Sequence, residues 1–262
     1  MYFFCEGSWR FRLFCVFLHR HSGNERTHVA NKNIQTLSLS YIIMYIAISG
    51  NIGSGKTTLT QLLARHYGWE PRYEAVDENP YLEDYYRDIH RWSFNLEVYF
   101  LKERFRDLIE ISRSERTVIQ DRTIYEGVYV FMQNNKEMGH LNDRDYETYM
   151  ELFEQMTTLV RMPDLLIYLR ASVPHLVGNI QRRGRDYEQQ MQLDYLENLN
   201  RRYDDFIYHK YKGRVMTIDK DALDFQNNKK DLATIIDRID RTLFGLFADL
   251  EQPSATAAPS RR

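Results

Sequence analysis

The octapeptide Gly50-Asn51-Ile52-Gly53-Ser54-Gly55-Lys56-Thr57 fits GxxxxGK[ST] and constrains this chain more than any other stretch. Ahead of it, Tyr45-Ile46-Ala47-Ile48-Ser49 has the continuous apolar character of a strand buried on both faces. Behind it, Leu59, Leu62, Leu63 and Tyr67 recur at helical spacing. Glycines in a strand-to-helix turn let successive N–H groups and the helix N-terminus point at phosphate. Lys56 is expected to reach the β- and γ-phosphates of ATP, and the Thr57 hydroxyl to ligate Mg²⁺. The same loop serves GTPases and motor ATPases. It therefore predicts a triphosphate site and leaves the fate of the phosphate open.

Around this loop, short strand-like runs alternate with long helical ones. Strands are expected at 45–49, near 70–76, and at 117–120, 165–169 and 215–218. Helices are expected at 55–66, 89–112, 144–161, 174–183, 191–209 and 227–246. That alternation reads as an α/β fold, a parallel sheet covered by helices. The length of 262 residues suits one such domain. A net charge of −2 argues against a polyanion-binding surface, so no nucleic acid polymer is expected as partner. No apolar run approaches the roughly 20 residues of a membrane span. The two cysteines, Cys5 and Cys15, leave the body of the chain free of thiols, which fits a cytoplasmic location.

The ends differ from the middle. Residues 1–43 mix short apolar pieces with Arg10, Arg12 and Arg20 and lack a signal-peptide core, whereas Met44 directly precedes the first strand. We expect Met44 to be the natural start, 1–43 a non-native or disordered extension, 44–250 the catalytic domain and 251–262 a flexible tail.

Three further segments carry chemistry. Glu74, in the run Arg72 to Tyr81 at the end of the second strand, would face the same crevice as the loop, because open α/β sheets bind ligands at the carboxyl ends of their strands. It could accept or orient the proton of an attacking hydroxyl; a solvated acidic loop is the alternative. The third strand ends in Asp121-Arg122, where a carboxylate can hold Mg²⁺ and an arginine can clamp phosphoryl oxygens. A plain salt bridge at a strand end is the alternative. Gln181-Arg182-Arg183-Gly184-Arg185 follows a helix and suits an Arg-rich lid that closes over ATP.

Taken in order, GNIGSGKT, YEAVDENPYL, RWSFNLEVYFL, QDRTIY, RRGRDYE and TIDKDALDF resemble the deoxynucleoside kinase family, over about Met44 to Leu246. The acidic motif has the form of the bacterial deoxyadenosine, deoxyguanosine and deoxycytidine kinase branch. The resemblance implies a P-loop NTPase-type three-layer fold with a five-stranded parallel sheet, and a homodimer that serves nucleotide salvage. It implies transfer of the ATP γ-phosphate to the 5′-hydroxyl of a deoxynucleoside, with a lean toward purine. Residue by residue, it makes Glu74 the base, Asp121 the magnesium-side carboxylate and Arg122 the bridge between 5′-oxygen and phosphate. Arg183 and Arg185 become lid arginines, Tyr86 and Glu188 the pair that holds the 3′-hydroxyl, and Phe131 an aromatic that stacks on the base. Two departures stand out. Asn179 occupies a lid-helix position often filled by arginine, and Gly127 replaces an aspartate that in some relatives pairs with the equivalent of Arg104.

Glu97 is a third departure, because the family usually has a glutamine there to read the base. A carboxylate only accepts hydrogen bonds and would match the N1–H and N2–H of guanine. Alternatively Glu97 pairs with Arg104, seven residues on along the same helical face. Thymidylate kinase is the competing enzyme, but Tyr86 with Glu188 suits an uncharged sugar better than a nucleotide acceptor. A non-catalytic subunit with the kinase fold is the reading from another class. It would have no reason to keep Lys56, Glu74, Asp121 and the lid arginines together.

Overall fold

The computed structural model of the chain describes residues 43–74, 79–185 and 192–245. Five parallel strands, β1 (Tyr45–Gly50), β2 (Glu70–Arg72), β3 (Val118–Asp121), β4 (Leu165–Arg170) and β5 (Val215–Asp219), form one sheet in the order β2-β3-β1-β4-β5. β1 is central and every one of its residues is buried. Successive side chains leave a strand on opposite faces, and the sequence of β1 serves both. Tyr45 and Ala47 enter one core with Leu166, Tyr168, Leu101, Leu108 and Tyr203. Ile46 and Ile48 enter the other with Leu59, Leu63, Ile167, Ile235 and Ile239. The three-layer α/β reading therefore stands.

Helix α1 (Lys56–Tyr67) starts from the glycine loop and covers the second core with α9 (Lys229–Phe244). Leu59 and Leu63, four residues apart, are the fully buried stripe of α1. The first core is covered by α3 (Ile89–Arg113), α6 (Asp143–Thr157) and α8 (Leu193–Asp205), the last continuing as a π-helical turn at Phe206–Lys210. Helix α7 (Val173–Arg183) follows β4 and ends at Gly184, whose φ of 70 gives the left-handed stop that glycine adopts without strain.

Some expectations need correction. The second strand is short, covering Glu70–Arg72, so Glu74 lies in the chain just beyond it. The helix expected over 144–161 stops at Thr157; Leu159, which extended its apolar pattern, is 75% exposed. Two helical segments were not foreseen. One is α2 (Leu82–Arg87). The other runs from α4 (Ile124–Glu126) through a π-helical stretch, Gly127–Met132, into α5 (Gln133–Glu137). Gly127, Val128, Val130 and Met132 are all buried, so the segment is apolar on most sides and shows no amphipathic period. Among the described residues, no helix is long and apolar enough to cross a membrane. Residues 1–42 of the expected extension, the expected tail and Glu188 lie outside the described residues.

Candidate active site

The glycine loop closes between the ends of β1 and α1. Its turn needs glycine at two points where the backbone comes close to its surroundings. A Cβ on Gly50 would lie 2.8 Å from the Leu169 carbonyl, and one on Gly53, where φ is 82, would lie 2.8 Å from the Leu176 carbonyl. Within the loop the Ser54 N–H donates to the Asn51 carbonyl at 3.1 Å. The Lys56 ammonium donates to the same carbonyl at 3.0 Å. Asn51 is itself anchored to α8, donating to the Leu196 carbonyl at 3.1 Å and to Asn200 Oδ1 at 2.7 Å. Burial, with help from the nearby Arg122 charge, lowers the Lys56 pKa to about 8.

Asn179 has a place in this arrangement. Its Nδ2 donates to the Gly53 carbonyl at 2.7 Å, tying α7 to the loop. The side chain is a direct tether between α7 and the loop. We expect Asn179→Ala to weaken ATP binding by about 0.5–1.5 kcal/mol, the usual net worth of one hydrogen bond, or roughly 2- to 12-fold in Kd. Titration calorimetry of the variant checks this.

Asp121 closes β3 beside the loop. Its Oδ2 accepts from the Thr57 hydroxyl at 2.5 Å, while Oδ1 is buried without a hydrogen-bond partner. Burial raises its pKa, against the pull of the Lys56 charge. A carboxylate oxygen left unsatisfied beside a hydroxyl is a hard-oxygen donor set, which fits Mg²⁺. Arg122 then leaves the strand in the left-handed region, with φ 69, the only such non-glycine among the described residues. That conformation costs about 1–3 kcal/mol; the N–H is held by the Ile48 carbonyl at 2.9 Å.

Arg122 and Glu74 meet in the middle of the site. Glu74 Oε2 accepts from Arg122 Nε at 3.0 Å, and Oε1 accepts from Arg104 Nη2. Burial alone would favour the protonated carboxyl, but the two guanidinium charges outweigh it and hold the Glu74 pKa at about 2. Arg104 is thus paired with Glu74 and not with Glu97. Its Nη1 lies 2.7 Å from where a Cβ on Gly127 would be, so the absence of an aspartate at that position leaves this nitrogen, like Nε, without a partner.

Two residues with no functional motif of their own in the sequence, Glu126 and Tyr203, fix Arg122 from behind. Glu126 is fully buried, and its Oε1 accepts from Arg122 Nη1 at 3.3 Å and from the Tyr203 hydroxyl at 3.0 Å. Its Oε2 accepts from the Thr123 N–H at 2.7 Å. Tyr203, also buried, is bonded to Arg122 Nη1 at 2.5 Å. A signal was present: Thr123-x-x-Glu126 has the spacing of a capping box and directly follows Asp121-Arg122.

The front of this arrangement borders one cavity of about 290 Å³. Lys56, Thr57 and Asp121 line it together with Glu74 and Arg122, and Arg183 and Arg185 line it as well. Its remaining wall is largely aromatic and includes Tyr86, Phe131 and two tyrosines not foreseen, Tyr85 and Tyr195. Phe131 carries the Arg122 guanidinium over its ring at 4.8 Å. Glu97 and Arg104 line the same space from α3. A phosphate-binding loop, an ionised carboxylate between two arginines and an aromatic chamber thus share one volume.

Known proteins can be set beside this geometry. Residues 46–244 match the family described as deoxynucleoside kinase. The chain is 37% identical over 196 residues to the deoxyadenosine/deoxycytidine kinase of Bacillus subtilis, an alignment covering 74% of this chain and 90% of that one. It is 38% identical over 221 residues to the deoxyguanosine kinase of Lactobacillus johnsonii, covering 80% and 97%. The fold superposes with a TM-score of 0.68 on a deoxyadenosine kinase from M. mycoides solved with the products dCMP and a flexible dCDP, at 31% identity over 75% of this chain and 99% of the other. The family match takes in all five strands and every element lining the cavity, and on that ground the chain belongs to the deoxynucleoside kinases, phosphotransferases with an alcohol acceptor.

Proposed function

We propose that this enzyme moves the γ-phosphate of ATP to the 5′-hydroxyl of a purine deoxynucleoside, deoxyadenosine or deoxyguanosine. The observation that carries the reading is the shared cavity, in which Lys56 and Thr57 lie on the same volume as Glu74 and Arg122. In this reading the loop amides and Lys56 hold the triphosphate, and Thr57 with Asp121 would hold Mg²⁺, whose charge offsets that of the phosphate oxygens when it is bound. Glu74 accepts a hydrogen bond from the 5′-hydroxyl and aims its oxygen at the phosphorus. Arg122, already bonded to Glu74, is assigned to the same oxygen and to the transferring group. Arg183 and Arg185 come from the lid side to spread charge as it develops. Tyr86 and Glu188 are assigned to the sugar, and Phe131 to a face of the base. The purine lean is supported by deoxyadenosine and deoxyguanosine kinases among the relatives, beside one named for both deoxyadenosine and deoxycytidine. We also assign the catalytic domain to residues 44–250, and expect it to act in the cytoplasm as a homodimer.

Purified protein with ATP and Mg²⁺, offered the four deoxynucleosides and thymidine monophosphate, tests the reading. The expected result is a 5′-monophosphate from deoxyadenosine or deoxyguanosine at rates above those for the pyrimidines. Phosphorylation of thymidine monophosphate in preference to every nucleoside would replace the reading with thymidylate kinase.

A further inference from the structure

Glu97 is a buried carboxyl with an unusual set of neighbours. It is 3% exposed, lines the cavity, and has one oxygen, Oε2, that is buried and bonded to nothing. Among the described residues no cation stands within ion-pairing distance of it, because Arg104 has turned to Glu74. The other oxygen is committed by a relay. The Tyr85 hydroxyl donates to Asn135 Oδ1 at 3.2 Å. With its oxygen occupied in this way, Asn135 presents Nδ2 to Glu97 Oε1 at 3.4 Å. Oε1 is therefore an acceptor, and a proton on the carboxyl belongs on Oε2, which is buried and has no partner.

The titratable and charged groups around Glu97 come from several elements. Arg104 of α3 and Arg122 beyond β3 favour ionisation and Glu74 opposes it, while a charge on Glu97 would in turn hold the hydroxyls of Tyr85, Tyr149 and Tyr195 protonated. Burial dominates, and the Glu97 pKa is pushed up to about 8. Its position along α3 gives it a ligand to meet. Arg104, the partner of Glu74, lies seven residues away on the same face, about 10 Å along the helix. A deoxynucleoside with its 5′-hydroxyl at Glu74 would extend its base toward Glu97. This step rests on the deoxynucleoside kinase reading above.

We propose that Glu97 reads the base as a neutral carboxylic acid, with Oε2–H as donor and Oε1 as acceptor, and that its ionisation withdraws recognition from adenine while keeping it for guanine. A carboxylic acid offers one donor and one acceptor, as a glutamine amide does. It pairs with adenine by donating to N1 and accepting from the amino group. Guanine is matched by either form: the acid can donate to O6 and accept from N1–H, and the carboxylate can accept from N1–H and N2–H together. Adenine is matched by the acid alone, because a carboxylate would set its lone pairs against N1. The guanine preference expected from a charged Glu97 is thus a property of alkaline solution.

The test is the ratio of kcat/KM for deoxyadenosine to that for deoxyguanosine, measured from about pH 6.5 to about pH 8.5 in wild type and in Glu97→Gln. Steps common to both substrates, including any titration of Lys56, cancel in the ratio. In wild type the ratio should fall about fourfold across this range, the loss of acid fraction for a group titrating near 8; in Glu97→Gln it should stay flat. A flat wild-type ratio, or an equal fall in the variant, overturns the proposal while leaving the kinase reading intact. Absence of deoxynucleoside phosphorylation at every pH overturns both. Thermal unfolding without substrate gives a second readout. The folded-state pKa lies above the unfolded one, so ionisation costs stability progressively between about pH 4.5 and about pH 8. The Tm of wild type relative to Glu97→Gln should decline over that window, and a constant difference counts against a carboxyl that is neutral in the fold.

Discussion

Replacing Glu74 by glutamine should lower kcat by about 10²- to 10⁴-fold and leave the Kd for ATP within a few-fold of wild type. The side chain is held on both oxygens, by Arg122 Nε at 3.0 Å and by Arg104 Nη2, with its remaining lone pairs toward the cavity. Glutamine keeps the shape but turns one acceptor into a donor, so an amide N–H must face one of the two guanidinium groups. The acceptor hydroxyl then loses its orientation and Arg122 loses a partner. Lys56, Thr57 and the loop amides are untouched, which is why nucleotide binding survives. Rapid-quench measurement of turnover, with calorimetry for ATP, separates the two effects. Wild-type turnover in this variant would remove Glu74 from the reaction.

The same geometry bears on how Glu74 acts. A carboxyl with a pKa of about 2 is a weak proton acceptor in the ground state. It suits a loose phosphoryl transfer, in which the hydroxyl becomes acidic only as its bond to phosphorus forms. In the proposed reaction its first task would then be to orient the hydroxyl, with the proton taken late. Because the carboxyl stays ionised well below the ordinary carboxylate range, kcat/KM should show no acid limb from Glu74 between about pH 7 and about pH 5. The sign for stability follows from a depressed folded pKa. The contribution of Glu74 is complete above the unfolded value of about 4.5 and fades as pH falls toward 2. An acid limb near pH 5 that disappears in Glu74→Gln would contradict this account.

What the sequence made legible follows from how local each signal was. The loop with its flanking strand and helix could be read because eight consecutive residues carry it, β1, β3 and β4 because each is a short run buried on both faces, and β5 because its alternating Met216 and Ile218 are buried. The segment from Ile124 to Glu137 was invisible for the opposite reason. Buried on most sides and rich in β-branched and aromatic residues, it shows no 3.6-residue period, and a π-helical stretch inside it shifts the register further. Helix α2 is six residues long, too short for a pattern to emerge. In the site, Asp121 and Arg122 could be placed at a strand end, but nothing local reveals that Arg122 sits at φ 69 and bends back toward Glu74. The pairing of Arg104 with Glu74 joins residues thirty positions apart. Helical spacing offered Arg104 a nearer partner in Glu97, and the fold chose the distant one. That choice leaves Glu97 without a counter-charge and turns a question about base identity into one about protonation.

Glu126 makes the strongest case for a residue that acts through another. Glu126→Ala should destabilise the protein by about 3–5 kcal/mol, the range for removing one member of a buried ion pair, and should also lower kcat. Glu126 is 0% exposed, and four groups converge on its carboxylate: Arg122 Nη1, the Tyr203 hydroxyl, the Thr123 N–H and the Gly50 N–H. The alanine variant leaves all four without that acceptor and opens a void under the start of α4. The left-handed turn at Arg122 is a strained conformation that persists because the surroundings overdetermine it. With Glu126 gone, Nη1 keeps only Tyr203, and the guanidinium is free to follow Glu74 toward the cavity or to relax with its backbone. Glu126→Gln distinguishes loss of charge from loss of the acceptor. An amide can still accept from Arg122 or from Thr123, so the glutamine variant should retain more stability than alanine, yet its kcat should fall because Arg122 is held less firmly. Guanidinium unfolding of both variants, paired with steady-state kinetics, checks the prediction. The positioning role requires kcat to fall at temperatures where each variant is fully folded, with the KM for ATP little changed. If kcat stays at the wild-type level there, Glu126 holds the fold and nothing more.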